Sequence, residues 1–432
     1  MPARTAGLAA IVALLSILVT HQLSTRGLDS ITDLSRPPPL PIFKAGWLLV
    51  NSAPRWYSHL LPPQLHTLQV ASAFLLSKAV YAVTRLGVPD QLWDPVTQQP
   101  VELSVQQLAE QVGANPDRLH RVMRALAGVG IFRQLKGGRF TNNAASGVLR
   151  KDHPNTIHHP VLALGGFSFW GLAKLSESMA EGVEQAPFEL QTGGTPFWEF
   201  LQQPGNAQLQ EEFDRSMVEA SRLSNPGLLQ FYPWQRHAGQ TVVDVGGGLG
   251  GFLSQLLTTQ GNLSGVLFDS PAVIERAKQD WQRNHPDLGS RVQFAAGSFF
   301  EGVPPGNVFF LRQGHPEERA DLWYILHDWD DGGALKILKV IRRACSDEAT
   351  LLIADTVLPG PDELLGPIQA LFDLQMLGTV SGRERSRQQF QTLLEAAGFE
   401  LARVWDTRGL FIVAARPMRA VHGKGVEQAA QS

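Results

Sequence analysis

The sequence predicts an α/β protein whose second half is a doubly wound, mostly parallel sheet ending in an antiparallel hairpin, preceded by an all-α winged-helix unit. Three observations predict it. Residues 241–251, TVVDVGGGLGG, read as a buried strand that delivers an acid into a glycine-rich turn opening a helix. From there to about residue 397 strand and helix patterns alternate, and the last two strand patterns, Leu401–Thr407 and Leu410–Ala415, are joined by a tight link at 406–409.

Composition narrows the function classes. A chain of 432 residues with 44% apolar and 18% charged content suits a soluble enzyme of two or three domains. A net charge of -3 gives no basic footprint, so small ligands are expected rather than nucleic acid. The single cysteine, Cys345, excludes an internal disulfide framework and any multi-cysteine metal site, and it falls in a helical pattern.

In chain order, Arg4 precedes an apolar run from Leu8 to Val19, too short to span a bilayer comfortably, so residues 1–26 read as a targeting or anchor segment. Residues 27–63 form a proline-rich linker with Pro37-Pro38-Pro39 and Pro62-Pro63. A first domain is expected over 64–225. It begins with a helical pattern stopped by Gly87 and Pro89; Ser104 caps the next helix, Asn115-Pro116 starts another, and 132–141 reads as a hairpin turning at Gly137-Gly138. That order describes a winged-helix unit, with DNA reading demoted by the weak charge. An aromatic-rich stretch follows at 159–223, mostly core by default. The second domain is expected over 226–417, with a flexible tail at 418–432.

Within the second domain the glycine turn suits a nucleotide-type cofactor, because uncovered backbone N–H groups at a helix N-terminus allow close approach. Gly246, Gly248 and Gly251 also fit the dinucleotide fingerprint, so a nicotinamide oxidoreductase stays open at this point. Asp269 ends the next strand, 25 residues beyond Asp244, a spacing that suits an acid on a ribose diol. His327 follows the fourth strand, Asp355 ends the fifth, and Glu384 lies on a loop before a helix. A neutral imidazole flanked by carboxylates can take a proton from a hydroxyl. A plain surface histidine is the competing reading. No second histidine accompanies it at metal-ligand spacing, so no metal is expected.

The ordered runs DVGGGLGG, FDSP, GSFFEGVPPG, YILHDWDD, LLIADTVLP, FDLQML, GRERSRQQF and AAGF resemble the S-adenosylmethionine-dependent O-methyltransferases of the plant caffeic acid and hydroxyindole (acetylserotonin) type over residues 64–416. The resemblance implies a Rossmann-like methyltransferase sheet, a winged-helix dimerisation domain, a homodimer, S-adenosyl-L-methionine as cofactor and a small, aromatic hydroxyl acceptor. Residue by residue it implies that Asp244, Gly246 and Gly248 hold the methionine part and Asp269 the ribose. Ser298 and Phe299 would lie at the adenine, with Arg312 near the cofactor. His327 would be the general base between Asp355 and Glu384, and Phe372, Met376 and Leu377 would clamp the acceptor, although the last three also fit a plain core stripe.

The chain departs from the family pattern in three places. Ser298 replaces an aspartate, Asp355 stands where glutamate is common, and 313–323, with Gly314 and Pro316, interposes a loop between Arg312 and His327. These departures motivate a second reading, a catalytically impaired homologue acting as a binding or regulatory dimer.

Overall fold

The computed structural model describes residues 57–312, 326–363 and 365–419, together with Gly46. The segment at 1–26, most of the linker, the 313–323 insertion and nearly all of the tail lie outside the described residues. The described residues form two compact units, the first running to Gln230 and adding 361–384, the second taking the remainder.

In the first unit the predicted long helix is two, α1 (Pro63–Ala71) and α2 (Ala73–Arg85), and Gly87 at φ 72° turns the chain away. β1 (Leu103–Ser104) leads into α3 (Val105–Val112), where Ser104 and Gln107 make a reciprocal capping box. Asn115 caps α4 (Pro116–Gly128), and Pro116 sits at its first turn, where a missing N–H costs nothing. β2 (Arg133–Gln134) and β3 (Arg139–Thr141) complete a sheet of order β1-β3-β2, and the wing turns at Gly137 and Gly138, with φ 74° and 71°. Val83, Leu108, Met123, Leu126, Phe132 and Phe140 form its core. Of the aromatic stretch, Phe167, Phe188, Phe197 and Phe213 pack together, so most of it is core as expected, while Phe169 and Trp170 stay partly exposed. α5 (Ala207–Phe231) follows.

The second unit is built on β4 (Thr241–Val245), α6 (Gly251–Thr259), β5 (Ser264–Asp269), α7 (Pro271–Asn284), β6 (Val292–Ala296) and β7 (Gly306–Arg312). Next come α8 (Asp331–Ala344), β8 (Cys345–Asp355) and β9 (Val357–Leu358). α9 (Pro367–Val380) packs with the first unit, where Gln375 donates to the Ser168 hydroxyl at 2.6 Å. β10 (Arg385–Ser386), α10 (Arg387–Ala396), β11 (Phe399–Asp406) and β12 (Phe411–Pro417) close the chain.

The seven-stranded sheet has the order β11-β12-β8-β7-β4-β5-β6. Its five neighbours from β8 to β6 are parallel, and β12 is antiparallel to both β8 and β11. The central strands are covered on both faces, which is why Val242-Val243, Val308 to Phe310 and Leu351 to Ala354 are continuous apolar runs rather than alternating ones. One face meets Leu338 and Ile341 of α8 with Phe390 and Leu394 of α10. On the other, Phe252 stacks on Phe310 at 4.6 Å and Trp234 meets both.

One expectation is corrected here. Cys345 lies in no helix; α8 ends at Ala344 and Cys345 opens β8, paired with Gly306. The helical period continues through the cysteine, but the ladder partner on β7 decides its conformation. Burial pushes its thiol up to about 12, so it is a poor nucleophile.

Candidate active site

Parallel pairing aligns the C-terminal ends of β4, β7 and β8, with Val245 opposite Leu311 and Arg312 opposite Ala354. Asp244, Arg312 and Asp355 therefore stand on three consecutive strands at one sheet edge, where open α/β sheets place their ligands.

The turn after β4 depends on glycine geometry. Gly246, Gly248 and Gly250 have φ of 69°, 60° and 80°, a region L residues avoid. A side chain at Gly247 would strike Asp244 at 2.7 Å, and one at Gly250 would strike Trp281 at 2.8 Å. At Gly246 a side chain would meet nothing within 4 Å, so open space lies beside the turn there. Gly246 and Gly247 give their N–H groups to the Phe268 carbonyl, and Gly248 gives its own to Asp269 Oδ2 at 2.9 Å. The Ser270 N–H donates to Asp269 Oδ1 at 2.7 Å.

Asp244 is buried, and among the described residues its Oδ2 has no hydrogen-bond partner. Burial raises its pKa to about 7, against the opposing pull of the Arg312 guanidinium. Burial likewise raises Asp269 to about 6, opposed by the two backbone N–H groups it accepts. Arg312 is itself buried, with its guanidinium 5.2 Å from the centre of the Phe252 ring, and burial lowers it to about 10. It remains a cation at neutral pH beside an acid poised near neutrality.

His327 is buried in a single 3-10 turn, Leu326–Asp328. Its Nδ1 lies 3.1 Å from Asp355 Oδ1 at the end of β8, and its Nε2 lies 3.6 Å from Asp328 Oδ1. Asp355 is fixed in turn by the Thr356 N–H, which donates to the same Oδ1 at 2.8 Å. The distance is that of an ion pair, but among the described residues Nδ1 makes no hydrogen bond of normal geometry, so a small turn of the ring toward Asp355 is needed for the carboxylate to hold the tautomer that leaves Nε2 basic.

The turn has a brace that the sequence reading missed. Arg385, 1% exposed, donates to the Leu326 carbonyl at 2.7 Å and the Trp329 carbonyl at 2.9 Å, on either side of His327, and to Asp331 Oδ1 at 2.9 Å. Its neighbour in sequence, Glu384, is the candidate acid, and no reading attached to Arg385. Its place in β10, paired with β9 just past Asp355, emerges only in the fold.

The other predicted residues fall as follows. Ser298 begins a turn, with its carbonyl accepting from Glu301 and Gly302 and its hydroxyl from Phe300 at 3.3 Å. Phe299 is buried in the sheet core beside Phe300. Glu384 is buried, and its N–H donates to Asp373 at 3.0 Å. Phe372, 51% exposed, and Leu377, 40% exposed, lie on α9 with the half-buried Met376, so an inward-facing core stripe does not describe them.

Known proteins match this arrangement. An O-methyltransferase domain matches residues 172–400, and an O-methyltransferase dimerisation domain matches residues 68–152. A phenazine O-methyltransferase of Lysobacter antibioticus is 30% identical over 81% of this chain and 95% of its own. The 8-amino-8-demethylriboflavin N,N-dimethyltransferase of Streptomyces davaonensis is 33% identical over 74% of this chain and 86% of its own. Among solved structures, an O-methyltransferase from neocarzinostatin biosynthesis, in complex with S-adenosylmethionine and 2-hydroxy-5-methyl naphthoic acid, superimposes with a TM-score of 0.62. It is 27% identical, and the match covers 79% of this chain and 96% of that one.

Proposed function

Because the chain belongs to the S-adenosylmethionine-dependent O-methyltransferase family, we propose that it methylates a hydroxyl of a small aromatic acceptor with His327 as general base. The observation that carries the assignment is the 3.1 Å contact between His327 Nδ1 and Asp355 Oδ1 at the sheet edge that also bears Asp244. Family membership sets aside the nicotinamide alternative.

The residues present fit the cofactor. A buried carboxylate oxygen at Asp244 without a partner among the described residues suits a cationic group, and the open space beside Gly246 admits a ligand close to the backbone. Asp269, held by two backbone N–H groups, keeps lone pairs for a diol. When bound, S-adenosylmethionine supplies an electrophilic sulfonium methyl. Arg312 keeps Asp244 from being fully neutralised, so an anionic partner is available at neutral pH.

His327 Nε2 takes the acceptor's proton as the oxygen becomes nucleophilic, and Asp355 offsets the charge that develops on the ring. Arg385 fixes the backbone on both sides of the base, which limits where the ring can stand before any acceptor arrives. Glu384 serves as the second acid, and Phe372, Met376 and Leu377 supply apolar surface for an aromatic ring. Ser298 can accept one hydrogen bond from an adenine amino group where an aspartate would offer a charge.

Two relatives support an aromatic acceptor, one methylating a phenazine and one holding a naphthoic acid. The test is methyl transfer from labelled cofactor to a panel of phenols and hydroxyindoles. His327→Ala should lower kcat by ~100-fold or more while S-adenosylhomocysteine still raises the melting temperature. Undiminished turnover in that variant removes the base assignment. Cofactor binding without turnover on any acceptor would favour the regulatory-dimer reading.

A further inference from the structure

We propose that the second unit carries a separate oxyanion site, on the face of the β11–β12 hairpin beside Tyr232 and His237, that takes a small phosphomonoester. A cavity of about 450 Å³ is lined there by Arg236, Arg403 and Arg416, with Trp405, Tyr232 and His237, and no carboxylate lines it among the described residues. That volume lies in the range of small-molecule sites.

Three properties point to an anion. First, all three guanidinium-bearing residues are exposed, and among the described residues no ion pair engages them. Glu400 stands opposite Arg416 in the ladder yet neither pairs with it nor lines the cavity. Second, Trp405 lines the same cavity and carries the Arg403 guanidinium on its ring, so the cation is held there without a carboxylate partner among the described residues. Third, the wall that carries no charge is fixed. Tyr232 and His237 share a 2.8 Å hydrogen bond, and His237 Nδ1 is bonded to Gln240 at 2.9 Å. Their rings stack nearly parallel, at 11°.

The geometry also limits the ligand. Arg403 lies 3.9 Å and Arg236 6.0 Å from the Trp405 ring centre, and Tyr232 meets that ring edge-on. With its faces so engaged, the indole serves as a platform for the guanidinium groups and not as a stacking surface for a base. Arginine forks match the tetrahedral oxygens of phosphate in pairs, and three of them around one cavity suit a dianion better than a carboxylate. The small side chain of Ala414, in the ladder opposite Arg403, leaves the space open. The site is independent of methyl transfer at His327.

The test is isothermal titration of the full chain, at low ionic strength, with phenyl phosphate, inorganic phosphate and benzoate. Saturable binding of both phosphates is expected, tighter than benzoate and undiminished when S-adenosylhomocysteine fills the cofactor site. Arg403→Gln or Arg416→Gln, both at exposed positions, should weaken it about tenfold or more. Trp405→Phe, which leaves a weaker aromatic platform for the guanidinium groups, should also weaken it. Absence of binding up to about 10 mM phosphate, benzoate binding as tightly as phosphate, loss on adding S-adenosylhomocysteine, or indifference to the arginine substitutions would each overturn the proposal.

Discussion

Asp244 and Asp269 set the pH behaviour of the cofactor site. Both carboxyls have ordinary values near 3.8 and are raised by burial, to about 7 and about 6. The folded chain therefore holds protons that the unfolded chain has lost between about pH 4 and about pH 7. Their contribution to stability is present at the acidic end of that window and is lost as pH rises through it. Binding a cation reverses the preference, because it favours the ionised acid. Affinity for S-adenosylmethionine should rise from pH 6 to pH 8, with up to ~1 proton released at pH 6. Calorimetry in buffers of different ionisation heat measures this, and Asp244→Asn should lose most of the slope. Arg385 makes a prediction of a different kind. Arg385→Leu leaves the Leu326 and Trp329 carbonyls without their charged donor and should cost about 3 kcal/mol in denaturant unfolding. Arg385→Lys keeps the charge but not the fork, so kcat should fall while KM for the cofactor stays near its original value.

At the scale of the element, the glycine turn separates strain from access. Gly250→Ala combines a left-handed backbone with a collision against Trp281, whose indole N–H donates to the Leu249 carbonyl at 2.7 Å. It should cost about 2 kcal/mol or more in thermal unfolding. Gly246→Ala carries only the backbone strain, ~1 kcal/mol, since open space surrounds the position. The added methyl would occupy the space beside the turn, so cofactor affinity should fall far more than stability. Equal losses of stability in the two variants would contradict this account. The strands and this turn could be read locally, because continuous apolar runs and clustered glycines carry their own conformational preferences. Cys345 could not, since its helical period is overruled by a partner distant in sequence.

At the scale of the molecule, the first unit exposes an apolar surface. Leu65, Leu68, Val70, Phe74 and Leu75 on α1 and α2 are each at least half exposed. Pro63–Arg85 is long and apolar enough to cross a membrane by length and composition, and little of it is buried. A surface of this kind marks an interface, and the dimerisation domain matched at 68–152 includes most of it. We infer that a second copy of the chain covers it. Leu68→Glu with Phe74→Glu should shift the protein from dimer to monomer in light scattering at micromolar concentration. A dimer that survives both changes would place the interface elsewhere.

The sequence alone determined the sheet, the glycine turn, the wing and the family, because each is written in short-range periodicity, capping residues and ordered motifs. Tertiary structure decided what depends on distant partners. It grouped 361–384 with the first unit, drew Phe299 into the core and left Phe372 exposed on α9. It also made Arg385 the brace of the turn that carries His327. A side chain's period states which way it can face, while its burial and its hydrogen bonds are set by neighbours that only folding brings near.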